Sequence, residues 1–256
     1  MSVRLSDINA DRVAIVTGGA QGIGGASALR LARRGWHLLL VDLDAEALKI
    51  KAQACADAGG SAETLVADVR DLAVATAAAE RLLAARGRID VLVNAAGISM
   101  PKTILEITED EFDRVVSINL KGVYTWCKAV AAHMVKGPEK RIVNISSVNA
   151  TTGGSPTAVS KFAYAAAKAG VLGLTRGLAN ELGPGCAVNC VSPGLIETRM
   201  TQHLVDRVRG QMEATTPLGR VGTPEDVAAV IEFLATVEPN YMTGEIIDID
   251  GGRWIN

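Results

Sequence analysis

The 256-residue sequence lacks paired cysteines, a strong charge of either sign and any long hydrophobic segment. Its four cysteines are scattered without a Cys-x-x-Cys pair, so we expect buried free thiols, and we predict no metal site. The formal net charge of −2 at pH 7 gives no reason to expect a nucleic acid or an anionic membrane as a partner. The cysteines are Cys55, Cys127, Cys186 and Cys190.

Targeting and membrane signals are also missing. No run of 18 apolar residues occurs, and the amino-terminal segment lacks the apolar core of a signal peptide. We therefore expect a cytoplasmic protein. No internal repeat, low-complexity tract or linker divides the chain, and 48% of its residues are apolar. This length and composition predict a single domain over residues 1–256 with a substantial core.

A tyrosine and a lysine four residues apart lie in a proline-free segment, rich in Ala and Leu, over residues 161–182. The apolar residues of this segment recur every three to four positions, which predicts a helix. Positions i and i+4 share a helix face, so Tyr164 and Lys168 can point into one pocket. Because a nearby ammonium stabilises a phenolate, Tyr164 is a candidate general acid/base. Taken alone, the spacing also fits two ordinary helix residues.

A glycine-rich turn, G-G-A-Q-G-I-G-G, follows the first β-branched run and precedes a long segment rich in Ala, Leu and Arg. This order predicts a strand, a turn and a helix. Gly18, Gly22 and Gly24 let the backbone turn tightly and approach a ligand, and the start of the helix presents unpaired N–H groups to a phosphate. In this context we favour dinucleotide binding over a plain connection.

The next predicted strand ends at Asp42, 18 residues beyond Gly24. A carboxylate at this place suits the ribose 2′-hydroxyl of NAD and repels the 2′-phosphate of NADP. The two obvious positions for a phosphate-binding Arg or Lys carry Leu43 and Gln21 instead. We therefore predict NAD over NADP. Asp42 could instead start the following helix, and two arginines at positions 33 and 34 leave the preference open.

Predicted strands and helices alternate along the chain with short polar joints. The alternation predicts an α/β fold of the Rossmann type, with helices on both faces of a doubly wound parallel sheet. Asp68 and Asn94 follow strands, where ligands bind in such sheets, although each could equally be a turn residue. The predicted strands cover residues 12–17, 37–41, 63–67, 89–93, 141–145, 187–191 and 245–249, and the helices cover 45–58, 72–85, 109–135, 161–182 and 224–236.

Three further features concern the same expected cleft. Asn119 lies inside a predicted helix, where Asn is unfavourable, which favours a hydrogen-bonding role, although exposed Asn on helices is common. Ser146 and Ser147 follow a strand and can place a hydroxyl near Tyr164. The Thr-, Gly-, Ser- and Pro-rich stretch after them is predicted to be a flexible surface loop. Residues 199–216 are polar and are predicted to form a small substrate lid.

Eight motifs, spread over essentially the whole chain, together resemble the short-chain dehydrogenase/reductase family. The resemblance implies a sheet of seven parallel strands, a bound nicotinamide dinucleotide, and hydride transfer between this cofactor and a carbinol or carbonyl carbon. Sixteen residues separate Ser147 from Tyr164, more than the family usually has, which leaves Ser146 as a second candidate for the serine role. The motifs are T-G-G-A-Q-G-I-G, Asp68-Val69, N-A-A-G, Asn119, N-I-S-S, Y-A-A-A-K, S-P-G-L-I-E-T and a terminal D-G-G.

The resemblance also implies a role for each matched residue. Tyr164 would exchange the proton, Ser147 would hold the substrate oxygen, and Lys168 would lower the pKa of the tyrosine and bind the nicotinamide ribose. Asn119 would anchor a water relay leading to Lys168. The residues expected along the cofactor are Gly18, Gln21, Gly22, Ile23, Gly24, Asp42, Asp68, Val69, Asn94, Gly97, Tyr164, Lys168, Pro193, Gly194, Ile196 and Thr198.

These observations predict an NAD(H)-dependent oxidoreductase that interconverts a secondary alcohol with its ketone. The nearest alternative is a 3-oxoacyl-acyl-carrier-protein reductase using NADPH. Gln21 and Asp42 disfavour it, and Asn180 stands where such reductases often have Arg. A catalytically idle dinucleotide-binding scaffold or redox sensor is a third alternative, disfavoured because both Tyr164 and Lys168 are present.

The resemblance further predicts a homotetramer. The long helices around residues 113–135 and 161–182 would pack against their symmetry mates. Their apolar faces could equally pack against the sheet of their own chain. The only other partner that we predict is a small alcohol or ketone substrate.

Overall fold

Seven strands pair in parallel into one sheet in the computed structural model of the protein, which describes residues 11–137, 139–154, 158 and 160–254. The seven-stranded parallel sheet expected from the sequence is thereby confirmed. The strands are β1 (Val13–Thr17), β2 (His37–Asp42), β3 (Ser61–Val66), β4 (Val91–Asn94), β5 (Lys140–Ile145), β6 (Cys186–Pro193) and β7 (Ile246–Ile249), in the spatial order β3-β2-β1-β4-β5-β6-β7.

Helices connect the strands and cover both faces of the sheet, as predicted. One prediction needs correction: the single helix expected over residues 109–135 is two α-helices separated by a π-helical segment, Ser117–Lys121, that contains Asn119. The α-helices are α1 (Gly22–Ala32), α2 (Ala45–Asp57), α3 (Leu72–Arg86), α4 (Glu109–Val116), α5 (Gly122–Met134), α6 (Asn149–Thr152), α7 (Phe162–Leu182), α8 (Gln202–Thr215) and α9 (Pro224–Thr236).

The core consists of two layers because successive strand residues point to opposite faces. Ile15 and Leu39 pack on one face with Trp126 of α5, and Val16 and Leu40 pack on the other with residues of α1 and α9. Burying each aliphatic side chain contributes roughly 1.5–3 kcal/mol, so the two layers fix how the helices lie on the sheet. All four cysteines are buried and free, as expected.

The order of the strands positions the cleft. β1 pairs with β2 on one side and with β4 on the other. The chain therefore builds the sheet towards one edge after β1, and towards the opposite edge from β4 onwards. In such sheets this switch point leaves a crevice outside the carboxyl ends of the strands. The glycine turn after β1 lies at that crevice.

Two segments differ from the sequence-based expectation. Residues 149–152 of the expected flexible loop form the helix α6, whereas residues 155–157 and 159 lie outside the described part of the chain. The expected lid at 199–216 contains α8, and its closing role stays a prediction. No helix within the described ranges has the length and apolar character needed to cross a membrane.

Candidate active site

A cavity of about 640 Å³ opens at the carboxyl ends of the strands. It is lined by the glycine turn, by the ends of β2, β4, β5 and β6, and by α7. Every site residue predicted from the sequence lines it except Asn94. Residues far apart in the sequence therefore meet in one space, with the glycine turn towards one end and Tyr164 towards the other.

The glycine turn brings two backbone segments too close for larger side chains. A Cβ on Gly18 would lie 2.8 Å from the Ala96 nitrogen, and φ of Gly18 is +63°, a conformation that favours glycine. A Cβ on Gly24 would lie only 2.2 Å from the Gly18 oxygen. The first residue before α1, Gln21, forms no side-chain cap, so the N–H groups at the start of α1 are available to an anion. This turn fits the diphosphate of a dinucleotide.

Asp42 ends β2 beside this turn, and backbone N–H groups hold its carboxylate. One oxygen accepts from Ala20 N at 3.2 Å, and the other accepts from Leu43 N at 2.7 Å and Asp44 N at 3.3 Å. The residue that caps α2 is Asp44, which accepts from Ala47 N at 3.0 Å. Asp42 therefore does not start the following helix, and its carboxylate lies at the cavity wall.

Asp68 lies further along the same wall and is bound by Arg70. Arg70 Nε donates to both carboxylate oxygens, at 2.9 and 3.0 Å, and Nη2 donates at 2.5 Å. These bonds hold the pKa of Asp68 below its ordinary value. Beside it, Val69 is buried against Gly122 of α5, where a Cβ would lie 2.8 Å from a Val69 methyl group. This part of the cavity thus combines the buried Val69 with one ion pair.

Three arginines that the sequence analysis did not single out line the cavity. They are Arg70, Arg114 and Arg199, and together with Lys168 they outnumber the lining carboxylates Asp42 and Asp68. The cavity is therefore cationic, as a site for an anionic diphosphate should be.

The arginines at positions 33 and 34 do not line the cavity. Arg34 and Arg30 instead bind Glu232 of α9, at 2.5 and 2.6 Å. This contact holds α1 against α9 on the far side of the turn. The two arginines that left the choice between NAD and NADP open therefore lie outside the cavity that Asp42 lines.

Tyr164 and Lys168 lie one turn apart on α7 and face the cavity, as the helical spacing predicted. Lys168 is buried, its Nζ donates to Ile145 O at 2.7 Å, and it lies 5.8 Å from the centre of the Tyr164 ring. Burial lowers the pKa of Lys168 to about 8. Burial raises the pKa of Tyr164 to about 12, against the opposing effect of the neighbouring Ser147 hydroxyl. In this structure burial thus outweighs the lowering of the Tyr164 pKa expected from Lys168.

The structure separates the two neighbouring serines. Ser146 donates to Lys168 O of α7 at 2.8 Å, which ties β5 to the catalytic helix. Ser147 is close enough to Tyr164 to lower the pKa of the phenol, and its hydroxyl accepts from Asn149 N at 3.2 Å. Both residues line the cavity, but the Ser146 hydroxyl is used by Lys168 O, and only Ser147 affects the pKa of the phenol. The geometry therefore favours Ser147 for the serine role.

Asn119 is fully buried in the π-helical segment and its side chain bonds three backbone groups. Its Nδ2 donates to Ile98 O and Val115 O, both at 3.0 Å, and its Oδ1 accepts from Ile98 N at 3.2 Å. A Cβ on Gly97 would lie 2.7 Å from Oδ1 and 3.7 Å from Lys168 Nζ. Asn119 thus holds the 97–98 backbone beside Lys168, which agrees with the hydrogen-bonding role predicted for it.

Asn94 lies behind the cavity. Its Nδ2 donates to Asn144 Oδ1 at 2.9 Å and approaches Cys127 Sγ at 3.3 Å, and Asn144 in turn donates to Thr175 of α7 at 3.0 Å. This buried chain joins β4 and β5 to the helix that carries Tyr164. Asn94 therefore supports the site from below, and a direct cofactor role for it stays a prediction.

The segment after β6 forms the remaining wall. Thr198 N donates to the Thr201 hydroxyl at 2.9 Å, and that hydroxyl donates to Ile196 O. Glu197 N donates to Gly222 O at 2.8 Å, which ties the same segment to the loop before α9. The sequence analysis missed Thr201, whose only signal was its position three residues after Thr198. These hydrogen bonds fix the backbone of the segment that carries Arg199.

Comparison with known proteins supports this geometry. The family model described as enoyl-(acyl carrier protein) reductase matches residues 18–253. The short-chain reductase protein NovJ of Streptomyces niveus is 39% identical over 254 residues, covering 96% of this chain and 95% of NovJ. The protein belongs to the short-chain dehydrogenase/reductase family. It is therefore an NAD(P)-dependent oxidoreductase that acts on CH–OH or keto groups.

Two more members of the short-chain dehydrogenase/reductase family show how far the likeness extends. The 3-oxoacyl-acyl-carrier-protein reductase FabG of Thermotoga maritima is 40% identical over 242 residues, covering 94% of this chain and 97% of that protein. A crystal structure described as a short-chain dehydrogenase/reductase, glucose/ribitol dehydrogenase, from Brucella melitensis superimposes with a TM-score of 0.89 at 34% identity, covering 96% and 98% of the two chains. The Rossmann-type fold is thus shown over essentially the full length.

Proposed function

We propose that this family member is an NAD(H)-dependent dehydrogenase that interconverts a secondary alcohol with its ketone. The observation that carries the proposal is that Ser147, Tyr164 and Lys168 line the same cavity as the glycine turn and Asp42. Lys168 lies buried one helical turn behind the phenol. Acid/base and dinucleotide-binding groups thus share one space.

The residues fit a bound nicotinamide dinucleotide, which supplies hydride exchange when it is present. The backbone of the glycine turn would bind the diphosphate, and Asp42 would accept hydrogen bonds from the adenosine ribose. A carboxylate at this place disfavours an added 2′-phosphate, because like charges repel. The three N–H groups that bind Asp42 keep the carboxylate at the cavity wall.

The proton chemistry is assigned to Tyr164. With its pKa raised to about 12 by burial, Tyr164 carries its proton at neutral pH and can donate it to a carbonyl oxygen held by Ser147. In the opposite direction the phenol must lose that proton before it accepts one from the alcohol. The neighbouring Lys168 ammonium favours the phenolate, and Asn119 fixes the backbone against which the ammonium packs.

A 3-oxoacyl-acyl-carrier-protein reductase is the second candidate, and the name of the Thermotoga maritima relative supports it. Against it, Asn180 is exposed near the end of α7 and offers no charge to an acidic carrier. At 1.5 Å per residue it lies about 24 Å along the helix from Tyr164. Asp42 also opposes NADPH. The alcohol dehydrogenase therefore fits the described residues better.

The test is a steady-state assay of NADH and NADPH formation with sugar alcohols, hydroxy acids and secondary alcohols, alongside reduction of an acetoacetyl thioester. We expect turnover of an alcohol with NAD. Turnover confined to NADPH and the thioester would reject this reading of Asp42 and establish the carrier-protein reductase. Binding of a dinucleotide without turnover of any substrate would favour a non-catalytic scaffold or redox sensor.

A further inference from the structure

Arg199 spans the cleft. It follows Thr198, whose methyl group would lie 3.7 Å from a Cβ placed on Gly22 of the glycine turn. From there the guanidinium reaches across to the loop after β2, where its Nη1 lies 4.0 Å from a carboxylate oxygen of Asp44. Arg199 therefore runs from the segment after β6, which lies beside Gly22, to the start of α2.

The Arg199 guanidinium is free to change partners. Its side chain is 80% exposed and that of Asp44 is 42% exposed, and an exposed pair at this distance contributes at most about 1 kcal/mol. The Thr201 hydroxyl bonds the backbone of Ile196 and Thr198, so the backbone next to Arg199 is fixed while its exposed side chain is free to reorient. Because its ion pair is weak and its backbone is fixed, Arg199 is suited to exchange the Asp44 carboxylate for another anion.

Three other arginines on this side of the molecule are already engaged by carboxylates, and Lys51, whose Cε would lie 3.0 Å from a Cβ on Gly25, does not line the cavity. Arg70 is bound to Asp68 through three hydrogen bonds. Arg30 and Arg34 are bound to Glu232 outside the cavity. The turn itself supplies only backbone N–H groups and the uncharged Gln21. Among the residues that the structure describes, Arg199 is the cavity-lining cation placed beside Gly22 without a strong partner.

We propose that Arg199 binds a phosphate of the dinucleotide, and that Asp44 holds it across the cleft until the dinucleotide arrives. Before binding, the Arg199–Asp44 pair would span the cleft, and after binding Arg199 alone would lie over the adenosine half of the site. The inference rests on the dinucleotide binding of the proposed function. It assigns the cofactor cation to a residue 177 positions after Gly22, rather than to the turn.

The test measures the dissociation constants of NADH and NADPH by fluorescence titration for wild type, Arg199→Gln, Asp44→Asn and the double variant. Arg199→Gln should weaken binding roughly three- to tenfold at low salt, and the loss should shrink as salt screens the charge. Asn is as good a helix cap as Asp, so Asp44→Asn keeps α2 intact. It should tighten binding by releasing Arg199, and the gain should be reduced in the Arg199→Gln background. Arg207→Gln, an exposed change on α8, is the matched control and should bind like wild type.

The two dinucleotides separate the two sources of phosphate. An equal loss for both in Arg199→Gln indicates the diphosphate, and a loss for NADPH alone indicates the 2′-phosphate. Unchanged binding of both would overturn the inference, and so would an Asp44→Asn effect that is the same with and without Arg199. A wild-type protein that binds neither dinucleotide would overturn the proposed function as well, so the two failures are distinguishable.

Discussion

Buried charged side chains have different kinds of partner at the two ends of the strands. At the amino ends, the buried carboxylate of Asp90 accepts from Arg88 and Lys140, each at 2.7 Å, and from Val13 N at 2.9 Å. At the carboxyl ends, the buried Lys168 ammonium donates to the backbone oxygen of Ile145. Paired charges stabilise the fold, whereas charges bonded to backbone keep further capacity for a ligand.

The pKa values show the same contrast. Burial alone would raise the pKa of Asp90, but its bonds to Arg88, Lys140 and Val13 outweigh burial and hold the pKa below the ordinary value. For Lys168 and Tyr164 burial dominates instead, and it shifts each pKa towards the neutral form of the group. The buried Asp90 is thus stabilised in its charged form, whereas the buried Lys168 and Tyr164 gain from a charged partner.

The largest effect is expected from a change at the carboxyl ends of the strands, where the cavity lies. Tyr164→Phe removes one hydroxyl, and we expect a loss of roughly 10²–10⁴ in kcat, because the proton donor is gone. NADH binding, measured by titration, should stay within twofold of wild type. The fully exposed Tyr241 provides the matched control, and Tyr241→Phe should keep full activity. Retained turnover in Tyr164→Phe would remove the phenol from the mechanism.

Asp90→Ala removes the buried carboxylate at the amino ends of the strands. It leaves Arg88 and Lys140 without their shared carboxylate, and we expect a loss of about 3 kcal/mol in the free energy of unfolding. The activity of the folded fraction should be unchanged. Because the folded pKa of Asp90 lies below its unfolded value, its contribution is present above the unfolded pKa and is lost as pH falls through the folded one. Wild type and variant should therefore converge in stability in acid, as measured by thermal unfolding.

The neighbouring serines allow the same contrast within one segment. Ser147→Ala removes the partner of Tyr164, and we expect kcat/KM to fall roughly 10²-fold, the scale of losing one oxyanion donor. Ser146→Ala removes the bond to Lys168 O and should cost about 1 kcal/mol of stability with a smaller loss of activity. Steady-state kinetics with thermal unfolding checks both. If the two variants exchanged these effects, the serine role would belong to Ser146.

The most gradual effect is the pH dependence of stability. Burial lowers the pKa of Lys168 to about 8, so between this pH and its unfolded pKa the unfolded chain binds more protons. Stability should therefore rise with pH, relative to Lys168→Met, by up to about 1.4 kcal/mol per unit. Comparing the two proteins at each pH cancels the buried thiols, which both share. A difference that does not change with pH would mean that Lys168 is not desolvated.

Much of the site could be predicted because its signals are local. The glycine turn, the Asp42 carboxylate after β2 and the Tyr164/Lys168 pair each depend on a few neighbouring residues and on the period of one element. The prediction failed where a regular pattern is interrupted. The helix expected over 109–135 is broken by a π-helical segment that buries Asn119, and the hydrogen bonds that stabilise it come from Ile98 in another part of the chain.

The sequence by itself determined the family, the parallel sheet and the identity of most cavity residues, since strand and helix periods and short turns are encoded by adjacent residues. Only the tertiary structure decided that the Ser146 hydroxyl binds Lys168 O and leaves Ser147 beside Tyr164, that Asn94 does not line the cavity, and that Arg199 reaches Asp44. Each of these depends on which side of a backbone faces a neighbour packed from a distant part of the chain. That choice is made by the burial of the two core layers against the sheet, which no single segment specifies.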